Sequence, residues 1–171
     1  MTRSRVGRVA VAAALLGSAG WGVHVGGAPP TTYPAVVVAV ADGDTVTVTV
    51  GAGRSARSET VRMLGVDTPE THHPRKPVQC FGPEAAAYTA DRLRPGTRVR
   101  LEADVELRDR YGRLLAHVVV DGRRLGEDLL RRGYARLLVI APNGSHAREF
   151  VRAELEARAA GRGLWGVCGG S

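Results

Sequence analysis

Apolar and polar residues alternate with a period of two along much of the chain, most strictly in the Thr-Val repeat at residues 45–50. Such alternation is typical of β-strands with one buried face and one open face. Four other short runs are apolar, β-branched or alternating, and Gly, Asp or Pro bounds each of them. Together they predict five strands, at residues 36–40, 45–50, 59–64, 99–103 and 114–120. Asp42-Gly43 predicts a hairpin turn between the first two.

Two segments between or after these runs have the signals of helices. Pro83 suits a first helical turn, and the good helix formers that follow it continue until Pro95-Gly96. A second, shorter helix is predicted at residues 125–132, with Gly133 as its end.

The third predicted helix is the longest. Ser145 is the expected N-cap and Gly161 the end, because Ser oxygens satisfy free N–H groups and glycine stops a helix. Its apolar face should be formed by Phe150, Val151, Leu155 and Ala159. Trp165 is expected to pack back as part of the core. Five strands with three helices placed late predict an α+β fold around a five-stranded, oligonucleotide-binding-type β-barrel.

The amino-terminal segment predicts export from the cytoplasm. Three arginines precede an apolar run at residues 9–23, which is shorter than the ~20 residues of a spanning helix. Residues 1–25 are therefore interpreted as a signal peptide, with an uncleaved membrane anchor as the alternative. Residues 26–34 are predicted to be a proline-stiffened linker, and residues 35–168 a single folded domain. The mature protein is expected to be secreted or extracytoplasmic.

Charge and composition add only modest support for a polyanionic partner. The 171 residues carry a net charge of +7, and 44% of them are hydrophobic, enough for one core. Every basic residue except Lys76 is an arginine, whose planar fork can bind phosphate through two hydrogen bonds. Nucleotide bias in the genome explains most of these arginines equally well, so charge alone does not indicate nucleic acid.

Cys80 and Cys168 are the two cysteines of the chain. In an exported protein this number favours one disulfide, because oxidising compartments let such a bridge persist. Two free, buried thiols are the alternative that the sequence leaves open.

Three residues have the chemistry of an open calcium site. Asp44 follows the Asp42-Gly43 turn, which needs no second acid, and Asp67 precedes Thr68-Pro69. Pro69 disfavours helical torsions at Thr68, which would expose the Thr68 carbonyl oxygen beside the Asp67 carboxylate. Oxygen ligands suit Ca²⁺, whereas Mg²⁺ demands a stricter octahedral geometry and remains the alternative ion. Both acids also have an ordinary explanation as turn or loop residues.

Arg62, Arg113 and Glu70 complete a set of groups suited to phosphate chemistry. Each alone has a common structural explanation, as an exposed strand arginine, a turn cap or a loop acid. Together, the two arginines could stabilise charge on phosphoryl oxygens while Glu70 accepts a proton from an attacking water. Neither a zinc-type histidine or cysteine spacing, nor a Gly-rich phosphate loop, nor a serine-nucleophile motif occurs in the sequence.

Six motifs in the same order resemble the thermonuclease, or staphylococcal nuclease, family, and the resemblance covers about residues 35–166. They are Asp42-Gly43-Asp44-Thr45, residues 62–70, Phe81-Gly82-Pro83-Glu84-Ala85, Asp109-Arg110-Tyr111-Gly112-Arg113, Gly133-Tyr134-Ala135 and Gly163-Leu164-Trp165. The resemblance implies a Ca²⁺-dependent nuclease that cleaves DNA and RNA and leaves a 3′-phosphate. By position, it implies catalytic roles for Arg62, Glu70 and Arg113, and ion binding by Asp44, Asp67 and Thr68.

The resemblance also places Lys76, Arg110 and Tyr111 near substrate. One segment departs from the family pattern, because residues 136–141 lack the tyrosines that flank the nucleotide in its best-known member. Stacking can contribute ~1 to 3 kcal/mol per base, so this departure concerns affinity and base preference.

A non-catalytic nucleic-acid-binding module on the same barrel is the alternative function. Such a module has no use for Asp44, Asp67 and Glu70, which repel phosphate unless a cation lies among them. An exported structural or interaction protein would explain the fold signals but not this set of residues. DNA and RNA are therefore the expected partners, with no stable protein partner and a monomeric state.

Overall fold

The computed structural model describes residues 32–71 and 77–169. The predicted signal segment at residues 1–25, residues 26–31 of the predicted linker and Lys76 lie outside the described residues. No helix within the described part of the chain is long and apolar enough to cross a membrane.

Five long strands form a closed barrel. The described strands are β1 Thr32–Asp42, β2 Thr45–Val50, β3 Arg57–Met63, β4 Gly65–Asp67, β5 Arg98–Glu102, β6 Leu114–Val120, β7 Arg123–Arg124 and β8 Arg136–Leu138. In the barrel, neighbours in the order β3-β2-β1-β5-β6 pair antiparallel, and a parallel pairing of β3 with β6 closes it. Two short strands, β4 and β8, pair beside the barrel. The predicted α+β, oligonucleotide-binding-type barrel is confirmed.

The core follows directly from the alternation in the sequence. In β2, Val46 and Val48 are completely buried while the threonines between them stay partly exposed. Val61 from β3 and Leu101 from β5 are also completely buried. Burying apolar side chains in this way supplies most of the favourable free energy of folding.

The first strand begins earlier than the predicted domain boundary at residue 35. β1 starts at Thr32, and residues 32–34 pair with β5, so this part of the predicted linker is strand. Pro34 is tolerated because β1 has a partner on one side only at this point, since its pairing with β2 starts at Ala35.

Four helices pack around the barrel in the described residues: α1 Gly82–Arg92, α2 Leu125–Arg132, α3 Ala147–Ala159 and α4 Leu164–Val167. The predicted bounds of α2 are confirmed, and Gly133 ends it in the left-handed region at φ 72°. α1 has a proline in its first turn, as predicted, and ends before Pro95-Gly96.

Two predictions for α3 were wrong. His146, not Ser145, precedes the first helical residue, and the Ser145 hydroxyl donates instead to Asp104 at 2.6 Å. The predicted apolar face also fails, because three of its four members, Val151, Leu155 and Ala159, are exposed. The buried face consists of Phe150, Ala153, Glu154 and Ala157. Small alanines let α3 approach α2 closely, and Glu154 accepts a hydrogen bond from the Leu137 backbone N–H in β8 at 3.0 Å.

Trp165 is half-buried rather than a core residue, and the buried residue of α4 is Leu164. The Trp165 ring packs against two guanidinium groups, those of Arg136 at 4.8 Å and Arg158 at 4.0 Å. Trp165 therefore organises arginines at the surface.

Cys80 and Cys168 form the predicted disulfide, with their Cα atoms 5.8 Å apart. The bridge joins the segment just before α1 to the residue that ends α4. No free cysteine is present in the described residues.

Candidate active site

The turn between β1 and β2 lies against the loop that follows β4. Gly43 is buried and lies so close to Thr68 that an added Cβ would come within 2.7 Å of the Thr68 hydroxyl oxygen. Gly43 does not have a positive φ, so the glycine is required here for space rather than for the turn torsion that the sequence suggested. α1 holds the same turn, because the Thr89 hydroxyl donates to the Gly43 carbonyl at 2.7 Å.

Asp44 is buried, with 7% of its surface exposed, and both oxygens of its carboxylate accept hydrogen bonds. One oxygen accepts from the Thr68 backbone N–H at 3.0 Å and from the Thr68 hydroxyl at 3.1 Å. The other oxygen accepts from the Thr45 hydroxyl at 3.0 Å. These bonds fix Asp44 and the loop carrying Thr68 to each other, although 24 residues separate them in sequence.

Arg62, near the end of β3, connects four acceptors with its two terminal nitrogens. Nη1 donates to the backbone carbonyls of Met63 at 2.8 Å and Val66 at 2.7 Å. Nη2 donates to the Asp67 carboxylate at 2.9 Å and lies 3.2 Å from the Asp44 carboxylate. The arginine side chain is only 14% exposed, so its orientation is fixed before any substrate binds.

Asp67 ends β4 at the mouth of the site. Although 56% of its side chain is exposed, its protein surroundings raise the pKa of the Asp67 carboxyl. Desolvation is the largest cause, and the negative charges of Asp44 and Glu70 act in the same direction. The positive charges of Arg62 and Arg136 oppose the increase. A bound cation would oppose it further.

Glu70 lies half-buried in the loop after β4, and its backbone is held from both sides by Gln79. The Glu70 N–H donates to the Gln79 side-chain oxygen at 2.9 Å, and the Gln79 N–H donates to the Glu70 carbonyl at 2.9 Å. One Glu70 carboxylate oxygen accepts from the Thr71 N–H at 3.1 Å. The sequence interpretation missed Gln79, which has no recognisable motif because its role depends on a contact across a loop.

Asp42 is a second residue that the sequence interpretation missed. Its carboxylate accepts from the Gly43 N–H at 2.8 Å, as expected of a turn residue, and also from the Thr71 hydroxyl at 2.9 Å. Burial raises the pKa of the Asp42 carboxyl, and a hydrogen bond with the Glu70 carboxyl adds to the increase. The Asp-x-Asp spacing was the available signal, because it puts two acids at one turn.

Arg113 enters the site from the turn before β6. Its Nε donates to the Asp109 carboxylate at 2.7 Å, and its backbone N–H donates to the other Asp109 oxygen at 2.9 Å. Burial raises the pKa of Asp109, but these bonds outweigh it and hold the pKa below its usual range. Because Asp109 engages Nε, the two terminal nitrogens of Arg113 can face a ligand.

Arg110 and Tyr111, predicted from the resemblance to lie near substrate, are exposed on the same turn. Arg110 donates to the Tyr111 hydroxyl at 2.6 Å, and its guanidinium lies 4.8 Å from the ring centre. The Arg113 guanidinium lies 5.5 Å from the same ring. Tyr111 therefore connects the two arginines. Lys76, the third residue of this group, lies outside the described residues.

All six residues predicted for catalysis or ion binding line one open cavity of about 290 Å³. The lining residues are Ala41, Asp42, Asp44, Thr45, Arg62, Asp67, Thr68, Glu70 and Arg113. The cavity contains four carboxyl groups against two guanidinium groups, an excess of acid that favours a cation.

A larger cavity of about 470 Å³ adjoins the first and shares Arg62 and Arg113 with it. Its wall is mainly apolar and includes Tyr111, Leu138 and Ile140. Leu138 and Ile140 belong to the segment that lacks the expected tyrosines. Aliphatic side chains therefore stand where stacking rings were expected.

The donor set in the first cavity fits Ca²⁺ in its chemistry. Asp44, Asp67 and Thr68 offer only oxygen atoms, the ligand type that Ca²⁺ takes. In the described residues, no three His, Cys, Asp or Glu side chains form a metal-binding group on their own. Any ion here would therefore need the Thr68 carbonyl, water or substrate oxygens in addition to the carboxylates.

The model of the family described as staphylococcal nuclease homologue matches residues 60–167. The thermonuclease of Staphylococcus hyicus is 37% identical over 129 residues, which cover 75% of this chain and 73% of that protein. The chain belongs to the staphylococcal nuclease family. Within this family the chain is also similar to the thermonuclease of Staphylococcus intermedius, with 37% identity over 76% of this chain and 74% of that protein. The SPbeta prophage-derived endonuclease YokF of Bacillus subtilis (strain 168) is 40% identical over 72% of this chain and 41% of that protein.

The match to the family model begins at residue 60, so the Asp42–Asp44 turn lies outside it. The barrel nevertheless brings this turn to Arg62 and Thr68, which the match includes. Membership of the staphylococcal nuclease family agrees with the barrel and with the resemblance found in the sequence.

Proposed function

We propose that this protein is a secreted, Ca²⁺-dependent nuclease that hydrolyses phosphodiester bonds of DNA and RNA and leaves 3′-phosphate ends. The observation that carries the proposal is the convergence of Arg62, Arg113, Glu70, Asp44 and Asp67 on one cavity. The nuclease and endonuclease names of its relatives in the family support the same reaction.

The two arginines have different parts in this reaction. Arg62 is held by backbone carbonyls and carboxylates, so it presents a fixed positive charge to a phosphoryl oxygen. Asp109 holds the Arg113 guanidinium through Nε, which leaves two nitrogens for bidentate binding of a phosphate. Charge that develops on the phosphoryl oxygens in the transition state is stabilised by such preorganised donors.

Asp44, Asp67 and the Thr68 carbonyl would hold the calcium ion. When bound, the ion supplies further positive charge for the phosphoryl oxygens. The Asp44 carboxylate is already fixed by Thr68 and Thr45, so it requires little rearrangement to act as a ligand.

Glu70 is the proposed general base. A water oxygen attacks phosphorus, its proton passes to the Glu70 carboxylate, and the bond from phosphorus to the 5′-oxygen breaks. The departing 5′-oxygen takes a proton from solvent, leaving a 5′-hydroxyl and a 3′-phosphate. Gln79 keeps the Glu70 backbone in place during this step through its two hydrogen bonds.

Chelation tests the metal requirement. We expect that removing divalent ions abolishes cleavage of a fluorescent single-stranded DNA, and of an equivalent RNA, and that Ca²⁺ restores both. Full activity in excess chelator would contradict the metal assignment, and restoration by Mg²⁺ but not Ca²⁺ would reassign the ion. Mass spectrometry of the products decides which side of the phosphodiester is cut. Binding without cleavage under every condition would favour the non-catalytic module.

Secretion is tested separately from catalysis. We would express the full chain in a bacterium with a standard export pathway. The mature protein should be found outside the cytoplasm and should lack about 25 amino-terminal residues, which is within the usual length of a signal peptide. Retention of the intact chain in the membrane fraction would instead indicate an uncleaved anchor.

A further inference from the structure

A third cavity, of about 280 Å³, lies next to the proposed active site on its other side. It shares Asp67 and Thr68 with the 290 Å³ cavity, whereas the apolar cavity shares Arg62 and Arg113. The lining residues are Asp67, Thr68, Pro69, Gln79, Cys80, Arg136, Leu164 and Cys168. The first cavity is therefore flanked by two others that adjoin it through different walls.

Arg136 supplies the positive charge of this third cavity. It is the first residue of β8 and pairs with Asp67 of β4, which places it directly beside the proposed ion ligand. Its guanidinium packs on the Trp165 ring at 4.8 Å and is half-buried. Such stacking restrains the arginine and leaves its in-plane N–H groups free to bind a ligand.

No carboxylate among the described residues forms an ion pair with Arg136. Asp67, its partner in the neighbouring strand, pairs with Arg62 instead, at 2.9 Å. In this respect Arg136 differs from Arg62 and Arg113, which each have a carboxylate within 3 Å. A guanidinium that is held in place, without a paired anion, in a cavity adjoining a phosphodiesterase site is suited to a second phosphate.

The polymeric nature of the substrate gives this cavity a use. A polymer bound at the central cavity continues beyond it in both directions, and each of the two adjoining cavities shares lining residues with it. The apolar cavity, with Tyr111 and Ile140, suits a base, while the third cavity contains Arg136, the Gln79 amide and the Asp67 carboxylate, which already pairs with Arg62 at 2.9 Å. The positive charge of Arg136 in the third cavity therefore suits the phosphate backbone of the nucleic acid.

We propose that Arg136 binds the backbone phosphate next to the scissile one, on the side of the scissile phosphate opposite the apolar cavity. The proposal rests on the proposed nuclease function and extends it, because it makes affinity depend on substrate length. Trp165 acts here as a positioning residue for the Arg136 guanidinium.

The test compares Arg136→Gln with Arg132→Gln on two substrates. Arg132 is a matched control, since it also stacks on an aromatic ring, that of Tyr88 at 5.1 Å, and lines none of the three cavities. One substrate is a single-stranded DNA of about 8 nucleotides, within the site sizes of such barrels. The other is a dinucleoside monophosphate, which has no second phosphate.

We expect Arg136→Gln to raise KM for the longer DNA about 10-fold, the usual effect of losing one charged hydrogen bond. Its kcat, and both constants for the dinucleoside, should stay near the wild-type values. The slope of log KM against log salt for the longer DNA should decrease by about 0.7, as for one lost single-strand contact. Arg132→Gln should change none of these values, and Arg136→Lys should recover part of the affinity.

Equal losses on both substrates would overturn the proposal, because Arg136 would then act through Asp67 on the central cavity. An unchanged KM and salt slope for the longer DNA would also overturn it. Fluorescence anisotropy of the same DNA, measured with Ca²⁺, separates this result from a failure of the proposed function. If no variant cleaves DNA but Arg136→Gln alone weakens binding, the phosphate subsite stands while the catalytic proposal fails.

Discussion

At the scale of single residues, Arg62 shows why arginine and lysine are not interchangeable in this site. Its guanidinium reaches two backbone carbonyls and two carboxylates from one rigid plane. A lysine ammonium is a point charge on a flexible stem and cannot span these four acceptors. The end of β3, β4 and the Asp44 turn are thus joined through one side chain.

Arg62→Lys and Arg113→Lys should each slow kcat by about 10² or more, because one preorganised transition-state donor typically contributes that much. Steady-state cleavage of single-stranded DNA with Ca²⁺ measures the effect. Arg57→Lys is the matched control, since Arg57 lies on the same strand as Arg62 but is 60% exposed and pairs with Glu59 outside the cavity. Near-normal rates for Arg62→Lys and Arg113→Lys would mean that the two arginines bind substrate without stabilising the transition state.

Glu70→Gln should lower kcat by about 10² or more with a small change in KM, because the amide cannot accept the proton of the attacking water. The Gln79 bonds involve the Glu70 backbone, so the substitution leaves them in place. Kinetics over a range of substrate concentrations separates the two constants. If KM rises steeply while kcat is kept, Glu70 anchors the loop instead of acting as the base.

His117 on β6 should make stability depend on pH, although it does not line the proposed active site. It is 6% exposed, and burial lowers its pKa from 6.5 to about 4. The neighbouring His146 and Arg124 act in the same direction, while Asp104 and Glu102 oppose it. Between pH 6.5 and about 4 the unfolded chain binds a proton at this residue that the folded chain does not.

Stability should therefore decrease as the pH falls from about 6.5 to about 4, by about 3 kcal/mol in total from this group. Urea unfolding of the wild type and His117→Gln at pH 7 and pH 4.5 measures the contribution. The variant should lose less stability than the wild type over this interval. Identical losses would mean that His117 is protonated inside the fold, contrary to its burial.

At the scale of elements, α3 shows where periodicity alone is insufficient. Val151, Leu155 and Ala159 have helical spacing with Phe150, yet they face solvent. The buried face is set by contact with α2 and by the hydrogen bond that the Leu137 backbone N–H in β8 donates to Glu154. The buried face consists mainly of alanines and one glutamate, which are less hydrophobic than Val151 and Leu155 on the exposed face. The sequence pattern therefore favoured the wrong face.

Replacement of residues on the two faces of α3 should change the stability by very different amounts. Ala153→Leu inserts three carbons at a position with 0% exposure and should destabilise the protein by about 1 to 3 kcal/mol. Leu155→Ala removes the same number of carbons from a position with 58% exposure and should change stability by under about 0.5 kcal/mol. Chemical denaturation measures both. A larger loss of stability for Leu155→Ala than for Ala153→Leu would mean that the face predicted from the sequence is the buried one.

At the scale of the whole molecule, the Cys80–Cys168 bridge joins the Glu70 loop region to the end of the described chain. Cys80 follows Gln79, the residue that holds the Glu70 backbone, and Cys168 follows α4. The cysteines are 88 residues apart, so the bridge restricts a large part of the unfolded chain. It should therefore affect both the stability of the protein and the order of the loop that carries Glu70.

Removing the bridge should cost about 4 to 5 kcal/mol in the chain-entropy model. The double variant Cys80→Ser, Cys168→Ser and the dithiol-reduced wild type should lose similar stability in urea unfolding. Reductant should have no further effect on the double variant, which serves as its own control. A loss under about 1 kcal/mol would show that the reduced chain keeps most of the restraint through other contacts.

Local physical chemistry explains which features could be predicted from the sequence. The alternation in β2, the proline at the start of α1 and the glycine after α2 each depend on neighbouring residues, so strands and helices were predictable within a few positions. The motif order also singled out Asp44, Arg62 and Glu70, which line one cavity in the structure. Only the tertiary structure showed that Asp42 lines the same cavity and that Gln79 and Arg136 line the adjoining one, because each position depends on contacts with another segment. Long-range contacts likewise decided that α3 buries Ala153 and that Gly43 makes room for Thr68, since packing is a property of pairs of segments.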